Sequence, residues 1–167
     1  MRETLQVINS LEAAGFFRRY AIGGAMGAIF YMEPIETEDL DILILLPANA
    51  SLLPPLSPLY EELRRRGYQE GAEHVRIEGV PVQFLPVYNP LIEEAVAEAR
   101  EFPYEDTPTR VPTAEHLLAI MLQTGRRKDR LRFEAFREQV TLDSVRLSSI
   151  IERHGLTERF RQWTTMP

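Results

Sequence analysis

Two aspartates one residue apart, Asp39 and Asp41, open the most apolar stretch of the chain, DLDILILL, and Pro47 follows it. Near-continuous apolarity over this length predicts a central buried strand. Residues two apart on a strand face one side, so both carboxylates should project together while Leu40 and Ile42 turn into the core. Adjacent like charges repel unless a cation lies between them. Mg²⁺, with Mn²⁺ able to substitute, suits two carboxylates because it takes hard oxygen ligands and is commonly shared with substrate phosphates. Upstream, Gly23-Gly24 breaks a short strand and starts a short helix. Without side chains its backbone N–H groups can approach a phosphate closely. Each feature has a plainer reading by itself: an Asp-x-Asp is often a solvated strand end, and a Gly-Gly pair is often a turn. Their order is more specific: strand, glycine pair, short helix, then Thr37-Glu38-Asp39-Leu40-Asp41 at the mouth of an aliphatic strand.

The elements that must position these residues follow from periodicity and breakers. A helix is expected over Glu3 to Ala14, a strand over Phe16 to Ile22, a short helix over Ala25 to Tyr31 and the acid-bearing strand over Asp39 to Leu46. The Pro-rich run Leu53 to Pro58 reads as a connection, and Leu59 to Arg66 as a helix stopped by Gly67. Glu73 to Ile77 and Val80 to Leu85 read as a hairpin turning at Glu78-Gly79, with Pro81 pushing the second strand towards an edge or bulge. Pro90 to Arg100 starts as a helix should, with Pro at its first position. Thr113 to Thr124, Lys128 to Gln139, Asp143 to His154 and Thr157 to Trp163 complete the chain as helices, with Trp163 expected to anchor the last of them. The pattern predicts an α/β (α+β) fold: a mixed sheet flanked by helices, with a core over 1–105 and a C-terminal helical cap over 106–167 packed on it.

At 167 residues, with 44% apolar composition, the chain is long enough for one sizeable core. A net charge of -6 argues against a protein that mainly coats nucleic acid or anionic membrane. The absence of cysteine excludes disulfides and thiolate chemistry. No run is apolar and long enough to span a bilayer, and Met1-Arg2-Glu3-Thr4 does not start like a secretion signal, so a soluble cytoplasmic protein is expected. His74, His116 and His154 lack ligand spacing, which speaks against zinc, and no Gly-x-Ser-x-Gly elbow supports a serine hydrolase. Glu61-Glu62 with Arg64, Arg65 and Arg66 reads most simply as a charged helix face. The apolar helices after Thr113 either close the protomer or pair two of them as a homodimer.

The segment YAIGGAMGAIFYMEPIETEDLDILILL resembles the signature of the polymerase β-type nucleotidyltransferase superfamily. The later stretch AEHLLAIMLQTGRRKDRLRF is similar to the helical part of one branch, the small nucleotidyltransferases related to abortive-infection, type IV toxin–antitoxin enzymes. The resemblance implies transfer of a nucleoside monophosphate from a triphosphate such as ATP or GTP to a protein, RNA or small-molecule acceptor. It implies that Asp39 and Asp41 ligate Mg²⁺ and that Gly23, Gly24, Thr37, Lys128 and Asp129 meet the nucleotide. In-line displacement at phosphorus needs charge neutralisation and positioning, which a metal site supplies. The sequence departs from this pattern twice. The usual third carboxylate corresponds to Gln83, which cannot hold a second cation by charge. A lysine usual in the later helix corresponds to Met121. If the hairpin turns tightly, His74 lies opposite Gln83 with Arg76 on their face, either a polar surface near the acids or a solvated edge. Asp129 either assists the triphosphate or caps the helix after it. The second function this chemistry allows is a nucleotide-binding or partner-binding module without turnover.

Overall fold

A computed structural model describes residues 1–34, 36–37, 39–48 and 56–165 of the chain. The order of elements is α1(Arg2–Ala13), β1(Arg19–Ile22), α2(Gly24–Ile29), β2(Leu40–Leu45), α3(Ser57–Arg65), β3(Gln69–Glu70), β4(Val75–Ile77), β5(Val80–Pro86), α4(Pro90–Ala97), β6(Arg100–Tyr104), β7(Thr107–Val111), α5(Ala114–Thr124), α6(Arg127–Gln139), α7(Ser144–Arg153) and α8(Thr157–Thr165). Of the expected Pro-rich connection over 53–58, residues 53–55 lie outside the described residues, and Ser57 and Pro58 already open α3.

The main sheet has the order β1-β2-β5-β4-β3 and is mixed: β2 and β5 run parallel, and the other neighbours are antiparallel. The fold is therefore α/β with a mixed sheet, as the hydrophobic pattern predicts. The pleat sorts the side chains. Leu40, Ile42 and Ile44 of β2, Val82 and Phe84 of β5, and Tyr20 and Ile22 of β1 are buried in one large core with Leu5, Ile8 and Leu11 of α1. The alternate residues Ala21 and Leu43 form a smaller cluster with Ile92 and Val96 of α4. Asp41 and Gln83 belong to this second face, which α4 covers only further along the strands.

Pro81 lies inside β5, an interior strand, and not on a sheet edge as its ring suggested. Pairing with β2 starts only at Leu40↔Val82, so at Pro81 the side towards β2 carries no ladder for the missing N–H to disrupt. A second difference follows α4. Its helix stops at Ala97, and residues 100–111 form the hairpin β6–β7, which the helical pattern did not anticipate. Pro103 pairs with Pro108 in it, and Glu105 turns it at φ 53°. Prolines are poor strand formers, but in a two-stranded ribbon each strand is an edge and tolerates them. The 105/106 boundary expected between core and cap passes through this turn. β7 is tied to the first half: Tyr20 Oη donates to Thr109 Oγ1 (3.1 Å), and Arg110 Nη1 donates to Glu12 (2.8 Å).

The four C-terminal helices form as expected. Thr113 caps α5 through its hydroxyl, and Gly125 ends it in the left-handed region. Trp163 of α8 meets Phe133 of α6 edge-to-face at 5.2 Å, the anchoring contact its size suggested. No helix among the described residues is long and apolar enough to cross a membrane.

Candidate active site

Asp41 sits on β2 with Gln83 beside it as its register partner on β5. The glycine turn presses on this carboxylate. Gly23 is the extended N-cap of α2, and its N–H donates to Asp41 O (2.9 Å). Gly24 follows at φ +56°, and a Cβ there would fall 2.0 Å from Asp41 Oδ2. Only a residue without a side chain can take that backbone and that approach. Gly27, one turn on, lies so close to Ile22 O that a Cβ would stand 2.5 Å from it, which seats α2 against β1.

The carboxylate of Asp41 is half-buried and accepts no hydrogen bond from the described residues. Burial pushes it above the usual aspartate range and the charge of Asp39 adds to this, while Arg126, Lys128 and Arg132 pull the other way. Asp39 differs. Burial raises it, but hydrogen bonding to His74 and Thr37 outweighs burial and leaves it below its ordinary value. Thr37 Oγ1 donates to Asp39 Oδ1 (3.2 Å), and His74 Nε2 stands 3.5 Å from Oδ2. Thr37 thus steadies Asp39.

The two acids line different clefts, yet remain close enough for the charge of Asp39 to raise Asp41. Asp39 lines a cleft of about 680 Å³ with Glu36, Thr37, Glu70, His74 and Arg76. Asp41 lines a cleft of about 290 Å³ with Gly24, Gln83, Tyr88, Met121 and Asp129. Asp39 precedes the first paired residue of β2, so it escapes the strict alternation that would have stacked it over Asp41. The β4–β5 ladder ends at Val75↔Val82, so His74 stands one residue beyond it, and the expected polar face divides: His74 and Arg76 line the larger cleft with Asp39, Gln83 the smaller one with Asp41.

Asp129, almost fully buried, accepts from Arg126 Nε (2.7 Å), Nη2 (3.2 Å) and backbone N (3.3 Å). It is the N3 acid of α6 and caps that helix, so of its two expected roles the capping one is built here, at the wall of the smaller cleft. Lys128 is exposed and lines neither cleft, although its charge reaches Asp41. Met121 is buried in the wall beside Asp41, a core side chain as its type suggested.

The donor set fits one hard cation better than two. Asp41 offers an unshared carboxylate and Asp39 a second, but Gln83 contributes no charge. Among the described residues the cluster with three potential metal donors lies elsewhere: Glu94, Glu98 and His116. There Glu94 accepts from Arg153 Nη2 (2.6 Å) and is hydrogen-bonded to His116 Nε2 (3.1 Å) and His154 Nε2 (2.9 Å), so its charge is already balanced by protein. Sequence spacing kept His116 and His154 apart; the packing of α5 and α7 on α4 brings both to one carboxylate.

The fold has clear likenesses among solved structures. An antigenic nucleotidyltransferase-like protein from Paracoccidioides brasiliensis superposes with a TM-score of 0.60 at 14% identity, over 95% of this chain and 90% of that one. ANT(2'')-Ia in complex with adenylyl-2''-tobramycin does so with a TM-score of 0.50 at 16% identity, over 93% of this chain and 98% of that one. The chain has a nucleotidyltransferase-like fold. No protein-family profile matches the sequence, and no curated protein does.

Proposed function

We propose that the protein is a divalent-metal-dependent nucleotidyltransferase whose reacting centre lies at Asp39 and Asp41. The observation that carries this reading is the contact between Gly24 and Asp41. A glycine turn is pressed onto a half-buried, unshared carboxylate, with a second carboxylate nearby and three cationic side chains in electrostatic reach. Such an arrangement costs stability in the free protein, and a bound cation with its phosphates offsets that cost. Mg²⁺, or Mn²⁺ in its place, would be held by Asp39 and Asp41 and would supply charge neutralisation at the phosphates.

In the reaction the acceptor's oxygen or nitrogen forms a bond to the α-phosphorus. The bond from that phosphorus to the bridging oxygen breaks, pyrophosphate leaves with the electron pair, and the nucleophile's proton passes to solvent. The chain's residues position the reactants. Gly23-Gly24 brings bare backbone to the phosphates, Thr37 and His74 steady Asp39, and Asp129 orders Arg126 at the rim while Lys128 adds long-range attraction. The apolar wall of Leu85, Ile92, Ile120 and Met121 excludes water from the smaller cleft.

ANT(2'')-Ia was seen with an adenylylated small molecule, so small-molecule acceptors belong beside RNA and protein in the search for this chain's acceptor. The narrower resemblance to the abortive-infection, toxin–antitoxin branch rests on the α5–α6 segment. The test is incubation with α-labelled nucleoside triphosphates, Mg²⁺ and panels of each acceptor class. Pyrophosphate release with label transfer supports the enzyme. Nucleotide binding with neither transfer nor release would defeat it and favour the second reading, a binding module without turnover, which neutral Gln83 beside Asp41 specifically supports.

A further inference from the structure

One side chain belongs to both clefts. Arg132, on the second turn of α6, lines the larger one with Asp39 and His74 and the smaller one with Gly24, Asp41 and Gln83. Its side chain is 22% exposed. Asp129 Oδ1 stands 3.9 Å away, beyond hydrogen-bond reach, and is already held by Arg126. Among the described residues the Arg132 guanidinium donates no hydrogen bond, so its planar fork of five N–H donors is available to a ligand in either cleft.

The neighbours cannot do the same work. Gln83 is neutral, and Met121 makes the facing wall apolar. Arg126 is committed to Asp129, and Lys128 lies outside both linings. The cation best placed where the clefts meet is therefore Arg132. An in-line displacement puts the incoming and leaving groups on opposite sides of phosphorus, and a side chain shared by both linings can meet a phosphate from either cleft.

We propose that Arg132 is a phosphate-binding residue that grips the triphosphate at the junction of the two clefts, supplying from the protein positive charge that a site with Gln83 in place of a third carboxylate does not gain from a second metal. This rests on the reading of the site as a nucleotide site. Guanidinium rather than ammonium suits the task, because its fork binds two phosphate oxygens at once.

The test titrates ATP, and separately inorganic tripolyphosphate, into the full chain with and without Mg²⁺, by calorimetry. Arg132→Gln is expected to weaken both ligands at least about tenfold, the loss of a charge-assisted hydrogen bond. Arg132→Lys keeps the charge without the fork and is expected to bind several-fold more weakly than wild type. Arg130→Gln, which removes a surface pair with Glu134, should bind as wild type does. Wild-type affinity in Arg132→Gln would overturn the role of Arg132 and leave the nucleotide site standing. If that variant proves unstable, wild-type affinity in Arg132→Lys overturns it equally. Failure of the unaltered protein to bind either ligand overturns the nucleotide site and this role together.

Discussion

At the scale of single residues the site is built on a conflict. Asp41 is half-buried beside a like charge, and its carboxyl lies above the ordinary range because of burial first and Asp39 second. For an acid raised in the folded state, folding binds a proton between the unfolded and folded values. The stability it contributes is present below the unfolded value of 3.8 and is lost as pH rises through the folded one. At neutral pH, without metal, ionised Asp41 therefore weakens the fold. Asp41→Asn is expected to raise the melting temperature of the metal-free protein while abolishing Mg²⁺-dependent nucleotide binding, and scanning calorimetry with and without Mg²⁺ checks both signs. Gly24→Ala should act oppositely. A methyl 2.0 Å from Asp41 Oδ2, at φ +56°, must displace the carboxylate or the turn. A loss of about 1–3 kcal/mol in denaturant unfolding is expected, together with loss of nucleotide binding.

At the scale of elements, Glu94 joins three helices. It lies on α4, accepts from Arg153 of α7, and is hydrogen-bonded to His116 of α5 and to His154 at the end of α7. Arg153 foremost, then the two histidines, hold its carboxyl at about 2 against the opposing effect of burial. For an acid so lowered, stability is fully present above the unfolded value of 4.5 and is lost as pH falls from there towards 2. Burial lowers His116 below its ordinary value despite Glu94, so protonating it on acidification also opposes folding. Glu94→Gln is expected to cost about 2–3 kcal/mol at pH 7, below the usual cost of breaking a fully buried pair because the side chain is 19% exposed. The variant's stability should also vary less with pH below 4.5 than that of the wild type, as urea titrations across that range would record. α5 carries Leu117, Ile120 and Met121 into the wall of the smaller cleft, so this clasp sets the wall's position.

At the scale of the whole molecule, the proposed function requires a chain of net charge -6 to attract another anion, a nucleoside triphosphate. The cations suited to this are Arg126, Lys128 and Arg132 at one end of α6, where their charge reaches Asp41. Without a divalent ion the acids repel the same phosphates that α6 attracts. Mg²⁺ with nucleotide at about one hundred times its Kd should therefore stabilise the fold by about 2.7 kcal/mol, a rise in melting temperature of roughly 5–10 °C for a chain of this size. Chelating the metal with EDTA should remove most of that rise, and thermal denaturation with and without chelator measures it.

What the chain itself determined is whatever depends on near neighbours. Alternation along DLDILILL turns Asp41 away from the core, the glycine pair opens α2, and the breakers bound the C-terminal helices; each is a local steric or burial preference. The tight turn at Glu78-Gly79 likewise set the β4–β5 register, from Ile77↔Val80 to Val75↔Val82. Tertiary structure decided the rest. The β6–β7 hairpin escaped notice because its prolines contradict strand propensity and its support comes from α1 and β1, many residues away. Asp39 entered a separate cleft because pairing begins only at Leu40. Arg132 reached both clefts, and His116 and His154 met on Glu94, because helices distant in sequence pack against one sheet. Spacing along a chain encodes which side of an element a residue takes, whereas its partner across an interface depends on the angle and register at which separate elements are driven together by burial.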